Sequence, residues 1–305
     1  MMPSWFNEWW TKLYFVFLRP LFKWVLRNIT GQCELLRITN EESDTAVKVQ
    51  KIESSLRHSS FPDLRDCATS TSVDVSESVK KIIEIKNIVP EKYPRFEISL
   101  QNFLFRIKSY NKLVSDAEDL RKIKYSSDDP SHEAKLIQLW EAYSEGQPLP
   151  ERIGAHWTDL GFQGHDPSTD FRGMGILGLE QLLFFASKYP KQARQVLSQS
   201  YHPQFGFSFA IVGINITEMG YSLLVRRKLR SHFYSLDNKE PTMVDFHQVY
   251  CHLLYEFAKF WFAAKPKDIM EFNTVREQFH TYIQFTLTSP SACLQSSFQK
   301  HKSEI

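Results

Sequence analysis

One break in a helical pattern constrains this chain more than any other feature. From residue 76 onward apolar residues recur three and four positions apart, as in Val79, Ile82 and Ile83 or Leu136, Leu139, Trp140 and Tyr143. That spacing places side chains on one face of an α-helix. The long break is 156–179, HWTDLGFQGHDPSTDFRGMGILGL, where five of the chain's eleven glycines lie between Gly161 and Gly178. Glycine suits a backbone that takes positive φ or lies close against another group. Between the glycines stand Gln163, Asp166, Asp170 and Arg172. A stiff, polar, irregular loop set between helices is where a scaffold usually displays function.

The flanking signals predict an all-α chain. Helices are expected from Ser76 to Lys86, Phe96 to Ile107 and Asn111 to Ile123. The next, Ser131 to Tyr143, has Asp129 as cap and Pro130 in its first turn, where a missing donor costs little. Helices then resume at Leu179 to Ser187, Pro190 to Ser200 and Phe209 to Leu229. Thr242 with Asp245 forms a capping-box pattern for a helix to about Ala263, and Asp268 caps a last one to about Leu287. No run of alternating β-branched residues competes with them. Residues 40–76, rich in Ser, Thr and Asp, read as a partly irregular connection, and the tail after Pro290 as frayed.

At the other end, residues 5–29 are the most apolar stretch. Wound as a helix, Glu8, Lys12, Arg19, Lys23 and Arg27 form one narrow polar stripe, while Trp5, Trp9, Trp10, Leu13, Phe17, Leu21, Trp24 and Val25 cover most of the rest. Arg19-Pro20 and Lys23 would sit at the centre of a transmembrane span, which makes one a poor fit. No small-residue cleavage site follows, so a signal peptide fits no better. Two readings remain: a helix packed on the core, and an amphipathic or Pro20-kinked helix at a membrane surface, which the tryptophans and local basic charge favour.

Composition narrows the function classes. The net charge of +2 and the lack of a basic, aromatic-interleaved stripe beyond the first thirty residues leave nucleic acid without support. Four scattered cysteines, with no C-x-x-C, argue against a disulfide framework or zinc site and for a reducing compartment. The sequons at Asn28 and Asn215 matter only in a secreted protein, and nothing else suggests secretion.

Several chemistries fail at the central loop. Gly173-Met-Gly-Ile-Leu-Gly178 matches G-x-G-x-x-G, but no buried strand precedes it and no Gly-Lys-Ser/Thr follows. Neither His156, His165, Asp166 and Asp170 nor His247, Cys251 and His252 has metal-ligand spacing. No Gly-x-Ser-x-Gly elbow is present, and no cysteine has an evident histidine partner. The chain therefore calls for no cofactor and no metal. Arg172 stands out, because a guanidinium suits phosphate and can stabilise charge in a neighbouring protein's nucleotide site. The plainer reading pairs it with Asp166 or Asp170 to pin the loop.

The pattern Trp157-x-x-x-Gly161-Phe-Gln-Gly-x-Asp166-Pro-x-Thr169-Asp-Phe-Arg172-Gly-x-Gly175-x-Leu177-Gly-Leu179 resembles the signature of the ELMO domain, and more closely that of its stand-alone ELMO domain-containing subgroup. Similar stretches are 202–224, Phe246 to Phe262, and Trp24 to Leu35. The resemblance implies helical N-terminal regions at 1–30 and 31–129, an ELMO domain at 130–290 and a tail at 291–305. It implies a GTPase-activating protein, a regulator rather than an enzyme, for Arf and Arf-like GTPases. The partner would bind GTP and Mg²⁺, and Arg172 would be the catalytic arginine in trans. With the cysteines and residues 5–29, the expected setting is cytoplasmic, peripheral to intracellular membranes. ELMO proteins that partner DOCK exchange factors lack this arginine pattern and act as scaffolds, so a non-catalytic scaffold or effector is the alternative. On this reading Gly173 and Gly175 would let the backbone approach the nucleotide, while Gln163, Asp166 and Asp170 would orient the loop or contact the GTPase. Trp157 and Phe162 would be hydrophobic pins beneath it.

Overall fold

The computed structural model describes residues 18–71, 74–236, 240–290 and 292–300. Among them every regular element is a helix and none is a strand, the all-α architecture that the periodicity dictates. The chain divides into two compact units, 1–112 and 113–305.

The first unit holds α1 (Arg19–Thr30), α2 (Glu34–Asn40), α3 (Thr45–Arg57), α4 (Pro62–Thr69), α5 (Val75–Lys86) and most of α6 (Phe96–Lys122). Two expectations need correction here. Residues 40–76 are more regular than expected, because α3 and α4 occupy most of them. Val49, Ile52 and Leu56 of α3 and Leu64 and Ala68 of α4 are buried at helical spacing, a stripe masked in sequence because the polar residues between them include Glu53 and Ser55, which are buried as well. The helices expected at 96–107 and 111–123 are one continuous α6. Its polar middle is not a break. Lys108 donates to the Ser78 hydroxyl (3.0 Å) and Asn111 to the Ala68 carbonyl (3.0 Å), so tertiary partners carry the polar residues inside.

α1 turns two of its three charges, Arg19 and Lys23, inward. Glu34 takes the Lys23 ammonium at 2.6 Å and the Arg19 guanidinium at 3.4 Å, and accepts the Ser55 hydroxyl. Burial would raise its pKa, but these donors outweigh that and hold it low. Outward stand Leu21, Phe22, Trp24 and Ile29, each more than half exposed. Pro20 lies in the first turn of α1; the expected helix over 5–17 lies outside the described residues.

The second unit is built on α9 (Gly175–Lys188). Ile176, Leu177, Leu179, Leu182 and Phe185 are buried on several sides of it, as expected of a helix enclosed by others. Around it pack α7 (Pro130–Tyr143), α10 (Pro190–Ser200), α11 (Phe209–Val225) and α13 (Met243–Ala264). Further helices of the unit are the four-residue α8 (His156–Asp159), α12 (Arg230–Tyr234) and α14 (Phe272–Thr286). Asp129 caps α7, and the Thr242–Asp245 capping box closes α13. The helix expected to reach Leu229 stops at Val225, where Arg227 adopts φ 59° and redirects the chain. The described tail is not frayed. α15 (Ser297–Lys300) follows a segment whose Leu294 and Ser296 are buried, with His232 accepting the Leu294 N–H and His252 bonded to the Ser296 hydroxyl at 2.8 Å.

Candidate functional site

The loop is bound to the rest of the second unit through backbone at two places. Gly161, at φ +79°, lies so close to Ser208–Phe209 that a Cβ would sit 2.2 Å from the Phe209 nitrogen. Its neighbourhood gives α11 its cap, because the Ala210 and Ile211 N–H groups donate to the Leu160 and Gly161 carbonyls (3.0 and 3.3 Å), satisfying first-turn donors that a helix leaves open. Gly175, at φ +54°, faces the Arg121 and Ile123 carbonyls, where a Cβ would lie at 2.4 Å. Gly175 thus seats the start of α9 on the end of α6 and is not free to approach a nucleotide. Gly173 has no atom within 4 Å of the Cβ position. The irregular stretch is also shorter than 156–179, since α8, a 3₁₀ turn at Pro167–Arg172 and the first turn of α9 take up much of it.

Beneath the loop runs an aromatic row. Trp157 is fully buried, Phe162 nearly so. Trp157 meets Trp140 (5.4 Å) and Phe162 (5.6 Å) edge-on, Phe162 meets Phe171 (5.8 Å), and Phe171 stacks on Tyr125 (5.8 Å). Such pairs add about 0.5–1.5 kcal/mol each beyond burial.

Arg152 is the residue that sequence reasoning missed. Its guanidinium holds both Glu133 oxygens at 2.8 Å through Nε and Asp166 at 3.0 Å through Nη1. Its carbonyl accepts the Trp157 indole N–H (3.0 Å), and the Tyr125 hydroxyl donates to Glu133 at 2.5 Å. Arg152 and Glu133 belong to no contiguous motif, so no local signal marked them. Asp166 also caps the 3₁₀ turn by accepting the Ser168 N–H (3.0 Å). Burial alone would raise the Asp166 pKa; Ser168 and Arg152 together bring it below the usual range.

At the tip the balance differs. Asp170 accepts the Gln163 N–H through Oδ2 at 2.9 Å, while Oδ1 is buried with no hydrogen-bond partner. Burial pushes its pKa up, against the pull of the Gln163 amide and the nearby Arg172 charge. Arg172 is exposed, and its Nε donates to the Thr169 carbonyl at 2.7 Å. The expected ion pair to Asp166 or Asp170 does not form: among the described residues no carboxylate lies within 4 Å of this guanidinium. Asp166 is engaged by Arg152 and Asp170 by the loop backbone, so neither competes for Arg172. Gln163, Asp170 and Arg172 border a concavity of about 180 Å³ whose far wall is Ile211, Ile214 and Asn215 of α11.

Among the described residues no group of three His, Cys, Asp or Glu is placed to hold a metal ion. His247 and Cys251 lie in the core of α13.

Comparison with known proteins gives this site its context. The ELMO/CED-12 family model matches residues 115–276, a span that contains the entire loop. A bovine ELMO domain-containing protein 2 is 47% identical over 278 residues, covering 90% of this chain and 94% of the relative. The human ELMO domain-containing protein 2 is 45% identical over 93% of this chain and 97% of its own length. ELMO domain-containing protein B of Dictyostelium discoideum is 33% identical over 88% of this chain and 94% of its own length. No solved structure matches. With its family model spanning the loop and its relatives spanning most of the chain, this protein belongs to the ELMO/CED-12 family.

Proposed function

We propose that this chain is a GTPase-activating protein for Arf and Arf-like small GTPases, acting by placing Arg172 in the partner's nucleotide site. The observation that carries the reading is the state of Arg172. It is exposed, oriented by one backbone bond through Nε, and its two terminal nitrogens are unengaged among the described residues. The loop carboxylates that would neutralise it are held elsewhere. In the reaction the partner holds GTP and Mg²⁺ and positions a water. As that water attacks the γ-phosphorus, negative charge spreads over the phosphoryl oxygens, and GDP and phosphate leave. A planar guanidinium fixed beside those oxygens is worth about 10³ to 10⁵ in rate. The chain is unchanged at the end, so it regulates and does not itself bind the nucleotide.

Single-turnover GTP hydrolysis across Arf and Arf-like GTPases tests the proposal. Arg172→Ala should remove nearly all acceleration while its circular dichroism and melting match the parent, and Arg172→Lys should restore little, because lysine lacks the planar fork. Unchanged hydrolysis with a folded Arg172→Ala protein sinks the reading. GTP-dependent binding without acceleration by the parent protein supports the scaffold alternative instead.

The chain also works, on this reading, at a membrane surface. α1 supports it by orientation: Arg19 and Lys23 are held inward by Glu34, while Leu21, Phe22, Trp24 and Ile29 face out beside the exposed Arg27. That face suits the boundary between headgroups and acyl chains. No helix among the described residues is long and apolar enough to cross a membrane. Removing residues 1–30 should abolish co-sedimentation with liposomes; persistent sedimentation rejects α1 as the anchor.

A further inference from the structure

The concavity beside Arg172 does not end there. Asn215 lines it and also lines a second one, of about 240 Å³, that continues along the same helix to Ser222 and Arg226. The two share a floor. Ile211, Asn215, Glu218, Ser222 and Arg226 fall four, three, four and four residues apart, which makes them one stripe of α11 and its cap. The opposite faces of α11 are packed, with Val212, Ile216, Leu223 and Leu224 buried. From Ile211 to Arg226 the stripe rises roughly 22 Å at 1.5 Å per residue. One end is bordered by the Arg172 loop, the other by Arg276, Glu277 and His280 of α14.

The junction is held in place. Asn215 donates to the Ile211 carbonyl (2.8 Å) and accepts from Arg276 Nη1 (2.9 Å). Arg276 Nη2 lies 3.4 Å from Glu277, and Nη1 lies 3.9 Å from Glu218. The floor and wall therefore present both signs of charge at set positions, with Met219 between them. A trough of this length matches about six or seven residues of extended chain at roughly 3.3 Å each. Its mixed charge suits a segment carrying an acid and a base, and fits neither a lipid tail nor a polyanion.

We infer that this trough is the docking track for one extended, mixed-charge segment of the GTP-loaded GTPase, the segment adjoining the nucleotide that Arg172 reaches. The inference rests on the activator reading and adds to it a division of labour. Arg172 acts on the reacting phosphate, and the α11–α14 trough selects which GTPase is presented to it. Asn215 and Arg276 are positioning residues, which shape the track without touching the nucleotide.

The test separates the two roles. Ser222 is half-buried on the trough floor, so Ser222→Trp plugs it without removing a charged contact. The concentration of protein giving half-maximal acceleration should rise about tenfold or more, with the saturating rate within about threefold, since blocking a contact surface costs roughly 1.4 kcal/mol per decade of affinity. In an Arg172→Ala background, binding to the GTP-loaded GTPase should weaken by a similar factor. Glu218→Arg, on the exposed rim, gives a second reading that does not depend on a bulky side chain: it should shift preference across a panel of Arf and Arf-like GTPases. Folded variants with unchanged half-maximal concentration and unchanged preference overturn the docking track while leaving the activator reading standing. If the parent protein accelerates no GTPase in the panel, the activator reading falls first and takes the docking track with it.

Discussion

Arg152 and Arg172 stand at either end of one loop. Arg152 is held by Glu133 and Asp166, and its carbonyl receives the Trp157 indole. Arg172, twenty residues on, has one backbone bond and no carboxylate within 4 Å among the described residues. The same side chain serves as a structural hub in one place and as an unspent charge in the other. Carboxylates decide which. Asp166 is drawn to Arg152, and Asp170 is turned to the Gln163 amide. With Asp166 engaged by Arg152 and Asp170 Oδ2 turned to the loop backbone, the fold leaves the terminal nitrogens of Arg172 unengaged among the described residues.

That contrast predicts opposite phenotypes. The largest effect belongs to Arg172→Ala, a loss of about 10³ to 10⁵ in stimulated hydrolysis with the melting temperature almost unmoved, because an exposed substitution rarely changes stability by more than about 0.5 kcal/mol. A stability loss of several kcal/mol there would erase the contrast. Arg152→Ala should do the reverse. Losing this partly buried hub leaves Glu133 and Asp166 without their shared cation and should cost about 2–4 kcal/mol, read from denaturant unfolding; a cost below about 1 kcal/mol would remove Arg152 as the hub. The glycines give a smaller, sharper version. Gly175→Ala combines positive φ with a Cβ at 2.4 Å from backbone oxygen, and should cost about 2 kcal/mol or more. Gly173→Ala meets open space and should stay within about 0.5 kcal/mol of the parent. Equal costs for the two would mean that seating on α6 does not matter.

Much of the architecture could be read locally. Asp129 before Pro130 and Thr242 with Asp245 mark helix starts because a cap acts within three residues of itself. Helices α3 and α4 were illegible for the converse reason. Their apolar stripes are thin, and the residues that make them helical partners, such as Glu34 with Ser55, are far apart in sequence. The break expected in α6 failed similarly, since Lys108 and Asn111 look exposed until Ser78 and Ala68 supply their partners. At the site, the motif exposed Arg172, Asp170 and Trp157, whereas Arg152, Glu133 and Asn215 carry no local mark of their roles.

The sequence by itself determined that the chain is helical, where several of its longer helices begin, and that one glycine-rich loop with a single arginine interrupts them. These follow from periodicity, capping and glycine's backbone freedom, which operate within a few residues. Only the tertiary structure decided which arginine is occupied and which is open, which glycine seats the loop, and that α11 extends the site toward Arg276. Those outcomes depend on carboxylates and carbonyls brought together from separate helices, and no local pattern encodes which of several possible partners a charge will find.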